Sequence, residues 1–406
     1  MPLKSYYVDL HVHLGRSEDG SPIKITASSQ LTFANCIKEA VDRKGLDILG
    51  VVDCSSRKIL KDIHDLMKKG QLIELEDGGL RHRDKVTILL GAEVETSEDE
   101  GRKIAHHLVY FPFLKQMEEF SKTMGKYISN MDLSTQRARL TSRELLTIAR
   151  SLGGVFMIAH AFTPHKSVYG NCAKRISDLF GSRSDEISAL ELGLSSDSYL
   201  ADRINELKPI TFISNSDAHS LAKLGREYNV MELEKPTFKE VILALKRQSG
   251  RKVSANYGLD PKLGKYHRSF CETCEKIISE EPPPVLECPY GKDHDLVTGV
   301  LDRITVIQDH SEPIHPEHRP RYHYQVPLEF VPGLGPATLN RLIAEFETEM
   351  AVLHQASKED ITKVVGWKIA NQIILAREGL LPLQAGGGGH YGKVAAPSEI
   401  EQLRMI

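Results

Sequence analysis

Seven short apolar runs recur through the first part of the chain: YYVDLHVH, ILGVVD, VTILLGAEVE, HHLVYFPF, GVFMIAHA, ISALELGL and ITFISNSD. Each reads as a buried strand that ends in polar residues. Between them lie segments with helical spacing, among them residues 31–44, 141–152 and 238–248, and the second opens on a capping box, Thr141 with Glu144. Strands that alternate with helices build a parallel sheet or a barrel. Seven candidates predict a distorted (β/α)7 barrel over residues 1–262.

Six of these runs also carry side chains that bind metals: Asp9, His11 and His13; Asp53 and Cys54; Glu93; His106 and His107; His160; and Asp217 with His219. A barrel gathers its chemistry from the ends of several strands, so six such segments point to one shared site. Imidazole mixed with carboxylate suits zinc, manganese or iron better than an all-oxygen magnesium or calcium cage. Strand alternation places Asp9, His11 and His13 on one face, where the two imidazoles can converge on one ion. Two ions ~3.5–4 Å apart clamp a phosphodiester and acidify a bridging water, which then attacks in line. No Ser-His-Asp set and no GxxxxGK[ST] loop competes for the chemistry.

Bulk composition narrows the partners. The chain has 406 residues, 41% hydrophobic and 26% charged, which is ordinary for a globular protein of two or three domains. A net charge of −3 argues against an indiscriminate polycation, though not against a local phosphate-binding surface. No apolar run is long enough to span a bilayer, so no membrane partner is expected. The first motif begins within ten residues of the N-terminus, which predicts a cytoplasmic location. In that compartment the six cysteines are free thiols or metal ligands.

The ordered set Asp9-Leu-His11-Val-His13, Gly50-Val-Val-Asp53, Gly91-Ala-Glu93, His107-Leu, Ala159-His160 and Ser216-Asp217-Ala-His219 resembles the PHP superfamily of phosphoesterases. The resemblance implies that His11, His13, Glu93 and Asp217 hold one metal, and that Glu93 bridges to a second with His107 and His160. It prefers His107 over His106 because the family's histidine directly precedes the apolar strand. A third site would use His219 and a histidine after the motif-two aspartate, but here Cys54 stands in that place. That ion is then absent or held by Asp53, Cys54 and His219. Glu93, Asp217 and His219 would carry catalysis, with two or three divalent ions (Zn, Mn or Mg), while Glu191, at the end of its strand, would either orient a ligand or remain a core-edge carboxylate.

Residues 263–308 change character. Cys271-Glu-Thr-Cys274 followed by Cys288 has zinc-ribbon spacing, but glycine occupies position 291 where a fourth cysteine is usual. His294 completes a Cys3His set, with His267 as the other candidate, and one structural zinc is expected. The following LVTGVLDRITVI reads as a strand. Residues 115–139 read as a loop or a lid over the site.

Residues 309–406 form a linker, a helical domain and a Gly386–Gly389 run expected to be flexible. The hairpin around Gly333 and Gly335, and a second at Gly366 beside Lys368, open helices whose free N–H groups favour phosphate. They resemble tandem helix-hairpin-helix motifs, which grip the DNA backbone without reading bases. A helical dimerisation cap is the plain alternative.

Taken in this order, barrel, cysteine module, hairpins and the GGGGHYG tail resemble the endonuclease Q family. The resemblance implies metal-dependent cleavage of DNA on the 5′ side of deaminated bases (hypoxanthine in deoxyinosine, uracil in deoxyuridine) or abasic sites, leaving 3′-hydroxyl and 5′-phosphate ends. A flipped nucleotide would sit near Phe162, His165 or Tyr169, and Arg137 and Arg139 are candidate phosphate contacts. The rivals are a histidinol-phosphate-type phosphatase and a DNA-binding scaffold without catalysis.

Overall fold

A computed structural model describes residues 2–395. All seven expected strands form. They are β1 (Lys4–Val12), β2 (Ile48–Val51), β5 (Val86–Glu98), β6 (Lys103–Phe111), β7 (Val155–Ile158), β8 (Ala189–Glu191) and β9 (Phe212–Ile213). A small flap adds β3 (Ile73–Glu74) and β4 (Leu80–His82), and three further strands extend the sheet: β10 (Tyr228–Leu233), β11 (Lys252–Gly258) and β15 (Arg321–Tyr324). The main order is β15-β11-β10-β1-β2-β5-β6-β7-β8-β9.

This sheet is mixed and curls into a half-barrel, which corrects the expected (β/α)7 alternation. β5–β6, β6–β7, β1–β10 and β10–β11 are antiparallel, whereas β1–β2, β2–β5, β7–β8 and β8–β9 are parallel. The reason lies in the connections: β5 and β6 are separated by four residues, too few for the helical crossover a parallel pair needs.

One apolar cluster, including Leu10, Leu89, Leu108, Met157, Ala189 and Ile213, draws on nearly every strand and fills the concave face. The amphipathic helix Phe238–Leu245 packs against it. A larger cluster lies between the convex face and the outer helices. Asparagines tie the arms of the half-barrel together. Asn229 Nδ2 donates to Ser214 O (2.8 Å) and Asn256 Nδ2 to Phe212 O (3.3 Å), so backbone groups left open by the curl find partners.

The cysteine module has its own three-stranded sheet: β12 (Ser269–Cys271), β13 (Lys276–Ile278) and β14 (Leu296–Val297). Beyond β14 the expected strand is a helix, Val300–Ile307. Val300, Ile304 and Ile307 are buried at helical spacing, and the buried Asp302 carboxylate accepts from the N–H groups of Ser269 and Val285. The β-branched residues there suggested a strand, but the tertiary packing selected the helical period.

Four helices, Pro336–Phe346, Glu349–His354, Lys358–Val365 and Trp367–Arg377, surround a separate apolar core centred on Leu342, Val352, Ile361 and Ile373. Glu349 pairs with the buried Lys44 of the half-barrel at 2.9 Å. Among the described residues, no helix is long and apolar enough to cross a membrane.

Candidate metal centre

The two histidines of β1 converge because the strand is irregular. Its pairing with β2 shifts register between Asp9 and Val12. Leu10 packs in the concave cluster, while Val12 packs under the helices and His11 and His13 meet at the site. Their Nε2 atoms lie 3.3 Å apart, both fully buried. The same irregularity removes Asp9 from the expected shared face. Its carboxylate accepts from the N–H groups of His11, Ser216 and Gly225 and anchors the edge of β1.

Glu93 is the hub. Its Oε1 lies 2.9 Å from His106 Nδ1, 3.2 Å from His160 Nε2 and 3.5 Å from His11 Nε2; its Oε2 lies 3.3 Å from His13 Nε2. Asp217 Oδ1 is 3.6 Å from each of His11 Nε2, His13 Nε2 and His219 Nδ1. Donor atoms therefore fall into three overlapping sets: His11, His13 and Glu93; Glu93, His106 and His160; His13, Asp217 and His219.

His107 is not in any of them, which corrects the choice between the adjacent histidines. In the β5–β6 register His107 faces Val94, whereas His106 faces Glu95 and shares the side of Glu93. His107 packs against Phe156 and Phe180, with Nε2 2.7 Å from Ser142 Oγ, and burial pulls its imidazole down to about 3. Strand parity in HHLVYF could not give this answer, since Val109 and Phe111 on the His107 face and Leu108 and Tyr110 on the His106 face are all core residues.

Asp53 and Cys54 also stand back from the centre. Asp53 accepts from Leu14 N (2.6 Å) and lies 3.2 Å from His13 Nδ1, so it steers that ring. Cys54 is buried with its thiol toward Val51 O, in the core. Glu191 does for His11 what Asp53 does for His13, holding Nδ1 at 3.0 and 3.2 Å and accepting from His160 N.

Two contributors escaped the sequence reading. Lys24 Nζ lies 3.2 Å from Glu93 Oε2 and 2.9 Å from His13 Nε2. Thr135 donates to the same Glu93 oxygen at 2.7 Å. Thr135 comes from the undecided 115–139 segment, which is the helix Leu114–Met124 followed by a loop bonded to β5 at Glu95. Both residues sit in loops without periodicity, so nothing local marks them. Arg137 is committed to Glu95, and Arg139 donates to Lys126 O. Phe162 and Tyr169 stack on each other in the core, and only His165 of that trio lines the cavity.

The electrostatics suit cations. Burial raises the Glu93 carboxyl, but the charges of His106 and Lys24 carry it well below the usual range. For Asp217 burial is likewise outweighed, by His11 first and then His219 and His13. Burial lowers His11, yet Glu191, Asp217 and Glu93 drive it up to about 10. The two buried Nε2 atoms face each other across 3.3 Å with carboxylate oxygens around them, a mixed imidazole and carboxylate donor set that fits divalent ions. Backbone strain marks the same place: His160 (φ 25°) and Asp217 (φ 45°) adopt left-handed conformations that non-glycine residues rarely take. A cavity of about 430 Å³ opens above these side chains.

Beyond His219 in the chain, Cys271, Cys274, Cys288 and His294 converge in a second donor set, with Cys274 Sγ 3.1 Å from His294 Nδ1. Gly291 is glycine because a Cβ there would lie 2.3 Å from His294 Nε2. His267 is elsewhere, buried outside this group.

Comparison with known proteins agrees with this geometry. Residues 198–249 match a PHP-associated family model. The chain is 43% identical over 394 residues to the uncharacterized protein YqxK of Bacillus subtilis, covering 97% of this chain and 100% of that protein. It is 34% identical over 265 residues to the uncharacterized protein MJ0043 of Methanocaldococcus jannaschii, covering 60% of this chain but 32% of that one. The crystal structure of the lesion-specific endonuclease PfuEndoQ from Pyrococcus furiosus superposes with a TM-score of 0.81 at 33% identity, over 99% of both chains. This chain belongs to the endonuclease Q family. A second endonuclease Q structure, in complex with a 27-mer duplex substrate carrying an abasic lesion at the active site, matches at a TM-score of 0.82 and 33% identity, over 98% of both chains. Within the endonuclease Q frame the half-barrel, the cysteine module and the helical domain belong to one continuous likeness, since the matches run through all three.

Proposed function

We propose that this chain is a metal-dependent DNA repair endonuclease that hydrolyses the phosphodiester on the 5′ side of a damaged nucleotide, with abasic sites, deoxyinosine and deoxyuridine as substrates. The observation that carries the reading is the Glu93 hub under an open cavity, in a chain that matches a lesion-specific endonuclease from end to end. His11, His13, Glu93 and Asp217 would hold one divalent ion, Glu93, His106 and His160 a second, and Asp217 with His219 the edge of a third. When bound, such ions (Zn, Mn or Mg) supply an acidified water and neutralise charge on the phosphate.

The protein's own residues do the positioning. Glu191 and Asp53 fix the rings of His11 and His13 so that both present Nε2. Lys24 and Thr135 hold Glu93 Oε2, which keeps the hub carboxylate ionised and aimed. His219, a third exposed at the rim, is held down near 4 by burial despite Asp217, so it is neutral and can accept a proton or ligate. A missing or mismatched pair lowers the cost of turning a nucleotide out toward the cavity.

The tetrad Cys271, Cys274, Cys288 and His294 fits one structural zinc. Gly333, Gly335, Gly366 and Lys368 are exposed at helix starts, and a Cβ at Gly335 or Gly366 would meet nothing within 4 Å, so a phosphate can approach the backbone there, although the Gly366 N–H itself donates to Thr362 O. This supports the reading of the four-helix unit as a helix-hairpin-helix DNA grip; a cytoplasmic location stays part of the proposal.

The test is incision of end-labelled duplexes containing one abasic site, deoxyinosine or deoxyuridine, in Mg, Mn or Zn, with His11→Ala as control. Products with 3′-hydroxyl and 5′-phosphate ends are expected. Failure of the wild type on all three lesions in all three metals would remove the repair reading, and turnover of a small phosphomonoester instead would install the phosphatase.

A further inference from the structure

The glycine-rich tail has no place in the chemistry above, yet it is bonded down rather than free. A hairpin of β16 (Leu383–Gln384) and β17 (Lys393–Val394) brackets it. Gly386 N donates to Lys262 O (2.7 Å), Gly389 N to Lys265 O (3.2 Å) and Gly392 N to Leu263 O (3.0 Å). A Cβ at Gly387 would lie 2.6 Å from Ile277, and one at Gly388 2.4 Å from the Phe270 ring. The glycines let the backbone lie flush on the cysteine module. The run expected to be flexible is a docked strap.

Its effect is to carry Tyr391 into the lining of the metal cavity. Arg226 Nη1 donates to the Tyr391 hydroxyl at 2.9 Å, and Lys265 Nζ sits 4.6 Å from the ring centroid. Arg226 otherwise donates to the carbonyls of Ser216 and Asp217, and among the described residues neither it nor Lys265 forms an ion pair. Lys265 also lines the cavity, half-buried; burial lowers its pKa, Arg226 and Lys223 lower it further, and Asp217 partly offsets them. Two cations that share the field of Asp217 but form no ion pair among the described residues, beside a centre read as handling phosphodiesters, call for an anion.

We propose that Lys265, Arg226 and Tyr391 form a phosphate subsite that grips a DNA backbone phosphate adjacent to the scissile one, and that the cysteine module and glycine strap serve to build it. The inference rests on the nuclease reading. Arg226 and Tyr391 fix the place of the Lys265 ammonium, and the phosphate supplies the counter-charge that the protein withholds.

The experiment pairs Lys265→Met with abasic duplexes in which single phosphates near the lesion are replaced, one at a time, by neutral methylphosphonates. For the wild type, one replacement is expected to lower kcat/KM about tenfold, the weight of one charge-assisted contact. In Lys265→Met that same replacement should cost nothing further, while the others keep their wild-type effects. Tyr391→Phe, which keeps the ring and loses the hydroxyl, should blunt the same position only, and it carries the test if Lys265→Met does not fold. Gly388→Val, which lifts the strap off Phe270, should reproduce the Lys265→Met pattern. Multiplicative losses at every position, or no sensitive phosphate at all, would overturn the subsite while leaving the endonuclease intact. No incision of any unmodified duplex would instead fell the function on which it rests.

Discussion

Glu191 places both carboxylate oxygens against Nδ1 of His11, at 3.0 and 3.2 Å, on the side of the ring opposite Glu93 and His13. The contact fixes the tautomer that leaves Nε2 free for the centre. A Glu191→Gln variant keeps the shape and loses the charge. Its metal affinity should fall roughly 10–100-fold, read by chelator competition, with the circular dichroism spectrum unchanged. Unaltered affinity would make Glu191 a packing residue only.

The adjacent histidines should separate cleanly. His106→Ala removes a Glu93 partner, so metal content and incision should collapse while the melting temperature holds. His107→Ala opens a hole between Phe156 and Phe180 and leaves Ser142 short of a partner, which should cost ~2–4 kcal/mol in denaturant melts. Incision per folded molecule should survive it. The reverse pattern would contradict the strand register.

Metal uptake should be proton-coupled. In the ion-free protein His11 is pushed up to about 10, so its contribution to stability is full below its unfolded pKa of ~6.5 and is lost as pH climbs through 10. A cation must displace that proton, and apparent affinity should therefore rise steadily from pH 6 to 9. Calorimetry in buffers of different ionisation enthalpy would measure the release. A flat profile would mean that His11 binds no proton before the ion arrives.

Glu227 gives an independent pH effect outside the centre. Burial pushes its carboxyl up to about 8, and only one oxygen is engaged, by Leu259 N. The folded state holds this proton more tightly than the unfolded chain, so stability should fall as pH rises from about 4.5 to about 8 and level off above. Glu227→Gln should melt higher than wild type at pH 9 and match it near pH 5. Equal melting at both would show the carboxylate to be ionised and tolerated.

Loss of the Cys274 thiolate should be felt at the tail. Cys274→Ser is expected to lower bound zinc by one equivalent per chain, measured by elemental analysis, and to speed trypsin cleavage at Lys393. Faster cleavage without zinc loss would mean that the tetrad holds no ion.

The order of motifs made the half-barrel strands and most of the candidate centre readable in the sequence, because short buried strands have a distinctive apolar text and their ends carry the imidazole and carboxylate groups. His11, His13, Glu93, His160, Asp217 and His219 were identifiable in this way, as was the Cys3His set. Local pattern failed where a residue's direction depended on another strand: the β1 irregularity turned Asp9 away, and the β5–β6 register exchanged His107 for His106. It failed again where a partner arrived from far along the chain, as with Lys24, Thr135 and Tyr391. A sequence records which groups are available and with what period. Which of them meet is decided by strand register and loop docking, since a shift of one residue in a strand moves a side chain to the opposite face.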